Sequence, residues 1–391
     1  MTFNIIVGDY DAMSGSAIGG NDRLVGGNNT RAGVVLNVLI GDANSLAGHA
    51  QGGNDILFGG NNAAAGGVQN ALVGDALQAT GNAAGGHDLL IGGSNFGSGF
   101  VQNAEFGDAI TLADQSRGSS DLLIAGDNYG AGFVQNALFG TAAWMSDGSA
   151  GGHDTLVGGS NFGPGWVQDA FFGDAGLMTD FATGGANTLV GGTNYGRGSI
   201  EEALFGDAAV MTDNTRGGGN VVVGGSNAGR GSLEDVLIGD AGLMAGHAAA
   251  VGNLLRGGDS FSNGTVVNVL IGDAVTMADF ARGGNNVLMA GQAYGPFNSV
   301  ENFLWGDAVT RSATATVGND TFIFGDRSGQ DNFIMDFHAG DRIEFDLDGN
   351  HHGNDVHIGQ SGSNSEIRVG DIDVFLVGYT SPVSAAAISF V

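Results

Sequence analysis

Cysteine and lysine are absent from this 391-residue chain, and proline occurs only three times. Without cysteine there is neither a disulfide framework nor a zinc-thiolate site. Without lysine no phosphate-binding loop ending in Gly-Lys-Ser or Gly-Lys-Thr can form. The 12 basic residues, all arginine, stand against 41 acidic ones for a formal charge of −29. That balance argues against nucleic acid as a partner, whose phosphates must be neutralised by basic side chains. The H-E-x-x-H motif of zinc proteases and the G-x-S-x-G elbow of hydrolases are missing as well. No apolar run approaches the length of a membrane-spanning helix. The opening Met1-Thr2-Phe3-Asn4-Ile5-Ile6 carries neither the basic nor the apolar region of a cleavable secretory signal.

What the chain has in excess is glycine, 75 residues of it, without a Gly-X-Y period. A Gly-Asp pair recurs with its aspartate at 9, 42, 75, 108, 174, 207, 240, 273 and 307, with Thr141 filling the gap; the step is 33, with a last step of 34. Between these runs a second column, Asp22, Asp55, Asp88, Asp121 and Asp154, continued by Asn187, Asn220, Asn253 and Asn286 and then by Asp320. A fixed period of this length marks a repeat protein whose units bury their apolar faces only by stacking. Each unit holds short runs of Leu, Ile, Val or Phe bounded by glycine, the pattern of strands ended by tight turns. The expectation is an all-β chain: a right-handed parallel β-solenoid, of β-roll or β-helix type, made of 33-residue repeats over 1–316, with a C-terminal β cap at 317–391. Two halves of each unit echo one another, as Asp88-Leu89-Leu90-Ile91-Gly92-Gly93 and Asn103-Ala104-Glu105-Phe106-Gly107-Asp108 do. The coil size therefore stays open: two coils per repeat imply a rod of roughly 90 Å, one large coil about half that.

Several columns fit such a stack. Leu112, Met145, Met178, Met211, Met244 and Met277 read as an inward ladder. Asn37, Asn70, Asn103 and Asn136, continued by Asp169, Glu202, Asp235 and Asn268, suit side-chain bonding to turn backbone, as does the row from Asn29 to Asn227. The row Phe96, Tyr129, Phe162, Tyr195, Ala228, Phe261, Tyr294 would stabilise the stack if internal and would offer a platform for sugar rings if exposed. Phe100, Phe133 and Trp166 lie beside it in sequence.

Several segments resemble a known family. Gly20-Asn21-Asp22-Arg23-Leu24-Val25-Gly26-Gly27 and Gly53-Asn54-Asp55-Ile56-Leu57-Phe58-Gly59-Gly60 are similar to the repeats-in-toxin (RTX) nonapeptide core, and Leu39-Ile40-Gly41-Asp42-Ala43 to its variant. Gly318-Asn319-Asp320-Thr321-Phe322-Ile323-Phe324-Gly325 and Asp336-Phe337-His338-Ala339-Gly340-Asp341-Arg342-Ile343 resemble the C-terminal domain of RTX proteins such as serralysin-type proteases, whose protease domain is missing here. The resemblance implies Ca²⁺ held by Asp22, Asp55, Asp88, Asp121 and Asp154 in the array and by Asp320, Asp336 and Asp341 in the cap, with the Gly-Asp column as a second possibility. It also implies an uncleaved C-terminal signal read by type I secretion machinery, and hence a secreted, extracellular or cell-surface protein. The full tandem nonapeptide is absent, and the aspartate column gives way to asparagine from 187 onward.

No residue is assigned a catalytic role. The repeat departs from pattern at Thr141 with Trp144, at Arg256 to Phe261, and at Arg197, Glu201, Glu202 and Arg230. The last patch would suit a polysaccharide lyase or epimerase, in which a base removes a sugar proton beside a neutralised carboxylate. His351, His352 and His357 in the cap read as an exposed loop rather than a metal site. The functional expectation is a calcium-binding structural, adhesive or matrix protein that self-associates or meets extracellular polysaccharide; polysaccharide binding or modification is the alternative.

Overall fold

A computed structural model describes residues 1–295, 299–328, 331–347 and 356–391. One repeat closes one coil. The strands Gly67–Val73, Ala76–Ala79 and Leu89–Ile91 pair in parallel with Phe100–Phe106, Ala109–Leu112 and Leu122–Ile124, each residue meeting the one 33 positions on. The echoing halves of a repeat thus belong to two sheets of the same coil, and about ten such coils make a rod of about 48 Å at the spacing of neighbouring strands.

Alternation along the strand decides what points inward. In Gly67–Val73, Val68, Asn70 and Leu72 are buried while Gln69 and Ala71 are half-buried. Two apolar columns follow. Leu57, Leu90, Leu123, Leu156 and Leu189 meet Leu72, Leu138, Phe171 and Leu204 in one core, and the alanines after each Gly-Asp pack with Met145, Met178, Met211, Met244 and Met277 in another. The methionine ladder is inward, as its period implies, with each thioether fully buried. Burial of a side chain of that size stabilises by about 1.5–3 kcal/mol. The corner glycine has a steric cause: a Cβ on Gly74 would sit 1.7 Å from the carbonyl oxygen of Gly107 on the next coil.

The asparagine columns are internal. Asn37 Nδ2 donates to Asn70 Oδ1 at 2.8 Å and to Gly27 O at 3.1 Å, and the same pattern climbs through Asn103 and Asn136 to Asp169. Asn62, Asn95, Asn128 and Asn161 form a second ladder at 2.9–3.1 Å. These amides satisfy turn carbonyls that stacking would otherwise bury unpaired.

The C-terminal residues add strands to the same sheets. Asn332–Ile334 and Ile372–Leu376 extend the sheet of Ser299–Trp305 in parallel, and Asn364–Val369 with Val356–Ser361 then close it antiparallel. On the opposite side, Thr321–Gly325, Arg342–Asp346 and Ile388–Phe390 continue the short-strand sheet. Phe322, Phe324 and Phe345 are fully buried beneath them. No helix of the described residues is long and apolar enough to cross a membrane.

Candidate functional site

The two aspartate columns, 13 residues apart in sequence, meet inside the solenoid. Each Gly-Asp carboxylate accepts a backbone N–H from the turn of its own coil, as Asp42 Oδ2 does from Gly53 at 2.8 Å and Asp75 Oδ1 from Gly86 at 2.9 Å. Each aspartate of the second column accepts the N–H of its counterpart one coil earlier: Asp55 Oδ1 from Asp22, Asp88 Oδ1 from Asp55, Asp121 Oδ1 from Asp88, Asp154 Oδ1 from Asp121. One oxygen of each carboxylate is thereby used, except in Asp22, which begins its column and only donates. The other in Asp42, Asp55, Asp75, Asp88, Asp108 and Asp121, like Oδ2 of Asp22, is buried without a hydrogen-bond partner. Those oxygens lie beside another acceptor, since Asp55 Oδ2 and Gly74 O are 2.0 and 1.7 Å from the place a Cβ on Gly41 would take.

The later coils show what such a slot requires. Where the second column is asparagine, Asn187 Nδ2 donates to Asp174 Oδ2 at 2.9 Å and to Gly206 O at 3.3 Å, and Asn253 Nδ2 donates to Asp240 Oδ2 at 2.6 Å and Gly272 O at 3.2 Å. At the interrupted coil Thr141 Oγ1 donates to Asp154 Oδ2 at 3.3 Å. A donor thus sits between carboxylate and carbonyl at Asn187 and Asn253, while Asp207 Oδ2 and Asp273 Oδ2 stay unpartnered in the coils of Asn220 and Asn286. In the coils of Asp42/Asp55, Asp75/Asp88 and Asp108/Asp121 the same place is faced only by acceptors, which must be bridged by a proton or a cation.

The electrostatics follow. Burial raises Asp55 and Asp121 to about 7 and Asp42 to about 6. Burial and then the charge of Asp88 push Asp75 well above the usual carboxylate range, and burial with the charge of Asp121 does the same to Asp88, Asp108 and Asp154. Like charges this close in a dry interior disfavour full ionisation.

Sequence reasoning missed Glu105. It occupies the leucine column between Leu72 and Leu138, fully buried, with neither carboxylate oxygen partnered, and burial raises its pKa well above normal. Aligning that column by the 33-residue step would have exposed it.

The ladder ends at the cap. Asp307, Asp320 and His338 bring one ligand atom each within 4.8 Å of one another. His338 Nε2 lies 2.9 Å from Asp307 Oδ2 and its Nδ1 3.5 Å from Asp341 Oδ1. Burial opposes the imidazolium, but the bond to Asp307 and the charge of Asp341 outweigh it and raise the pKa of His338. Asp320 keeps one buried oxygen unpartnered. Asp336 and Asp341 spend both carboxylate oxygens on backbone N–H groups, Asp336 on those of Gly306 and Asp307, Asp341 on those of Asp320 and His338. His351 and His352 lie outside the described residues.

The aromatic row is external. Phe96, Tyr129, Phe162 and Tyr195 stack with ring centroids 4.7–5.0 Å apart and stay 43–55% exposed. Rings stacked face on face present their edges, so the row is not the flat sugar platform that exposure alone would suggest. Phe100, Phe133 and Trp166 form a second, half-buried stack. Of the irregular patch, Arg197 and Arg230 line one exposed cleft, whereas Glu202 is buried and accepts the N–H groups of Gly192 and Gly225. The structure therefore does not join them into one site. Glu201 belongs to another outward column, a ladder of Gln69, Gln102, Gln135 and Gln168 linked at 2.8–2.9 Å.

No protein-family model matches the chain, and no curated protein sequence is significantly similar to it.

Proposed function

We propose that this chain is a calcium-coupled β-solenoid, exported from the cell, that serves there as a structural and adhesive rod. The observation that carries the reading is the run of buried carboxylate oxygens without donors at Asp22, Asp42, Asp55, Asp75, Asp88, Asp108 and Asp121. The donor set is hard oxygen throughout and anionic, which suits Ca²⁺. In the array, Asp55 Oδ2 beside the carbonyl of Gly74 and Asp88 Oδ2 beside that of Gly107 are the oxygens that would turn to such an ion. Asp307 and Asp320 offer a second place at the cap. Asp154 is already served by Thr141, and Asp336 and Asp341 by backbone, so these three contribute to shape more than to ligation.

Export is supported by the RTX-like segments Gly318–Gly325 and Asp336–Ile343. Cation-dependent folding would keep the chain loose before export and rigid after it. The test is a calcium titration of chelated full-length protein, followed by circular dichroism and melting, with bound metal counted at saturation. Several ions bound with a cooperative gain in β-signal is the expected result; an unchanged melting curve with no ion bound would overturn the reading. Release of the full chain by a host with, and not without, a type I secretion apparatus checks the export arm.

A second reading is polysaccharide binding along the exposed ring edges of Phe96, Tyr129, Phe162 and Tyr195, which offer apolar surface although no flat platform. A glycan array probed with the full chain separates it from a purely structural role.

A further inference from the structure

The row of stacked rings on the outer turn is interrupted once, at Ala228, and the interruption is chemically distinct from the rest of the rod. From Phe96 to Tyr195 and from Phe261 to Tyr294 neighbouring rings cover one another's faces at 4.7–5.0 Å, the row beginning at Phe96 above Ala63. At the far end the guanidinium of Arg327 lies 5.0 Å over the ring of Tyr294. At Ala228 the ring is missing, so Tyr195 below and Phe261 above turn uncovered faces toward one another across two coil rises, about 9.6 Å. A flat six-membered ring placed between them would meet each at the spacing that the chain's own rings use.

The same two coils carry Arg197 and Arg230, two residues beyond the ring position, where the other described coils have Ser98, Ala131, Pro164 and Asn263. Both arginines are exposed and both line a cleft of ≈ 660 Å³ that also takes in Tyr195, Ala228, Ser262 and Asn263; Phe261 is outside that lining, next to Ser262 in sequence. Among the described residues neither guanidinium has an ion-pair partner, although the chain holds 41 acidic residues. The turn segments 191–199 and 224–232 contain no aspartate or glutamate. Two free guanidinium forks beside two free ring faces are a matched pair of features: a planar donor set for a carboxylate and an apolar slot for the ring that bears it.

We propose that the gap in the ring row at Ala228, together with the cleft beside it, binds a small aromatic anion, its ring stacked between Tyr195 and Phe261 and its carboxylate held by Arg197 and Arg230. A long polyanion is disfavoured by the charge of −29 on the rod, which would repel every charged group beyond the two arginines. The site lies on the outside of the coil and takes no ligand from the internal carboxylates.

Benzoate is the probe, with the full chain in calcium-containing buffer, read by saturation-transfer NMR and by calorimetry. Benzoate is expected to bind through its ring protons, and benzyl alcohol and cyclohexanecarboxylate to bind about tenfold more weakly or worse, since each lacks one half of the match. Changing Arg197→Gln and Arg230→Gln together should weaken benzoate by about tenfold or more. Ala228→Phe supplies the ring that Phe162 and Phe261 already provide in their own coils; it should abolish binding with the melting temperature unchanged or raised, which separates loss of the slot from loss of the fold. Benzoate binding that survives Ala228→Phe, or no benzoate binding by the unaltered chain, overturns the proposal. Oligogalacturonate binding without benzoate binding also overturns it and returns the cleft to polysaccharide. A thymidine oligomer that outcompetes benzoate overturns it in favour of single-stranded nucleic acid.

Discussion

Asp55→Asn probes the carboxylate ladder where its chemistry is least satisfied. In the coils of Asn187 and Asn253 an amide nitrogen donates to a neighbouring carboxylate and to a glycine carbonyl; at Asp55 an oxygen occupies the equivalent place. Burial raises Asp55 from 3.8 to about 7. A shift of roughly three units corresponds to about 4 kcal/mol of penalty for the ionised form, and the amide adds hydrogen bonds of about 1 kcal/mol each. Because part of the penalty relaxes through proton sharing with Asp42, the expected net gain for chelated Asp55→Asn at neutral pH is about 2–4 kcal/mol. The sign follows from linkage. A carboxyl whose folded pKa lies above its unfolded value stabilises fully below the unfolded value, near 4, and loses that contribution as pH rises through about 7. The gain should therefore be large near pH 7 and shrink to the hydrogen-bond contribution near pH 4. With saturating calcium the order should invert, since the substitution removes an anionic ligand. Urea unfolding followed by circular dichroism, in chelator and in calcium at both pH values, reads all four cases. A variant less stable than the parent in chelator at neutral pH would refute the argument, and so would a gain that ignores pH.

Further expectations follow from the same geometry. The chelated parent chain should lose stability as pH rises from about 4 to 7, the window set by Asp42, Asp55 and Asp121, and a melting series across that range checks it. Glu105→Leu places the column's usual residue between Leu72 and Leu138 and should stabilise by about 2–4 kcal/mol at neutral pH, less in acid, as read from the urea midpoint. Met178→Ala opens a cavity in the alanine and methionine core and should destabilise by about 2–5 kcal/mol in the same assay.

Most of the architecture was legible because one coil equals one period. Residue i lies under residue i+33, so the methionine ladder, both amide ladders and the aspartate columns could be read as columns before any coordinates. Alternation then told inward from outward within each strand, and glycine told where coils approach too closely for a Cβ. Glu105 was legible in principle on the same ground, as the one acid in a column of leucines and phenylalanine.

Other features needed the folded chain. The echo between the halves of a repeat allowed them to stack on one another or to face one another, and only the closure of the coil put them in different sheets. The meeting of Asp42 with Asp55 arises from how the turn between them folds back, which the 13-residue separation leaves open. Periodicity showed that the aromatic residues align, but not that their faces cover one another, so the gap at Ala228 gained meaning only once the rings were seen stacked. The placing of His338 between Asp307 and Asp341 likewise depends on the cap docking on the last coil, a contact between segments 31 residues apart that follows no repeat. Period and alternation act locally or along one axis and so survive in the sequence; contacts across the coil depend on how each turn closes, and those the tertiary structure decided.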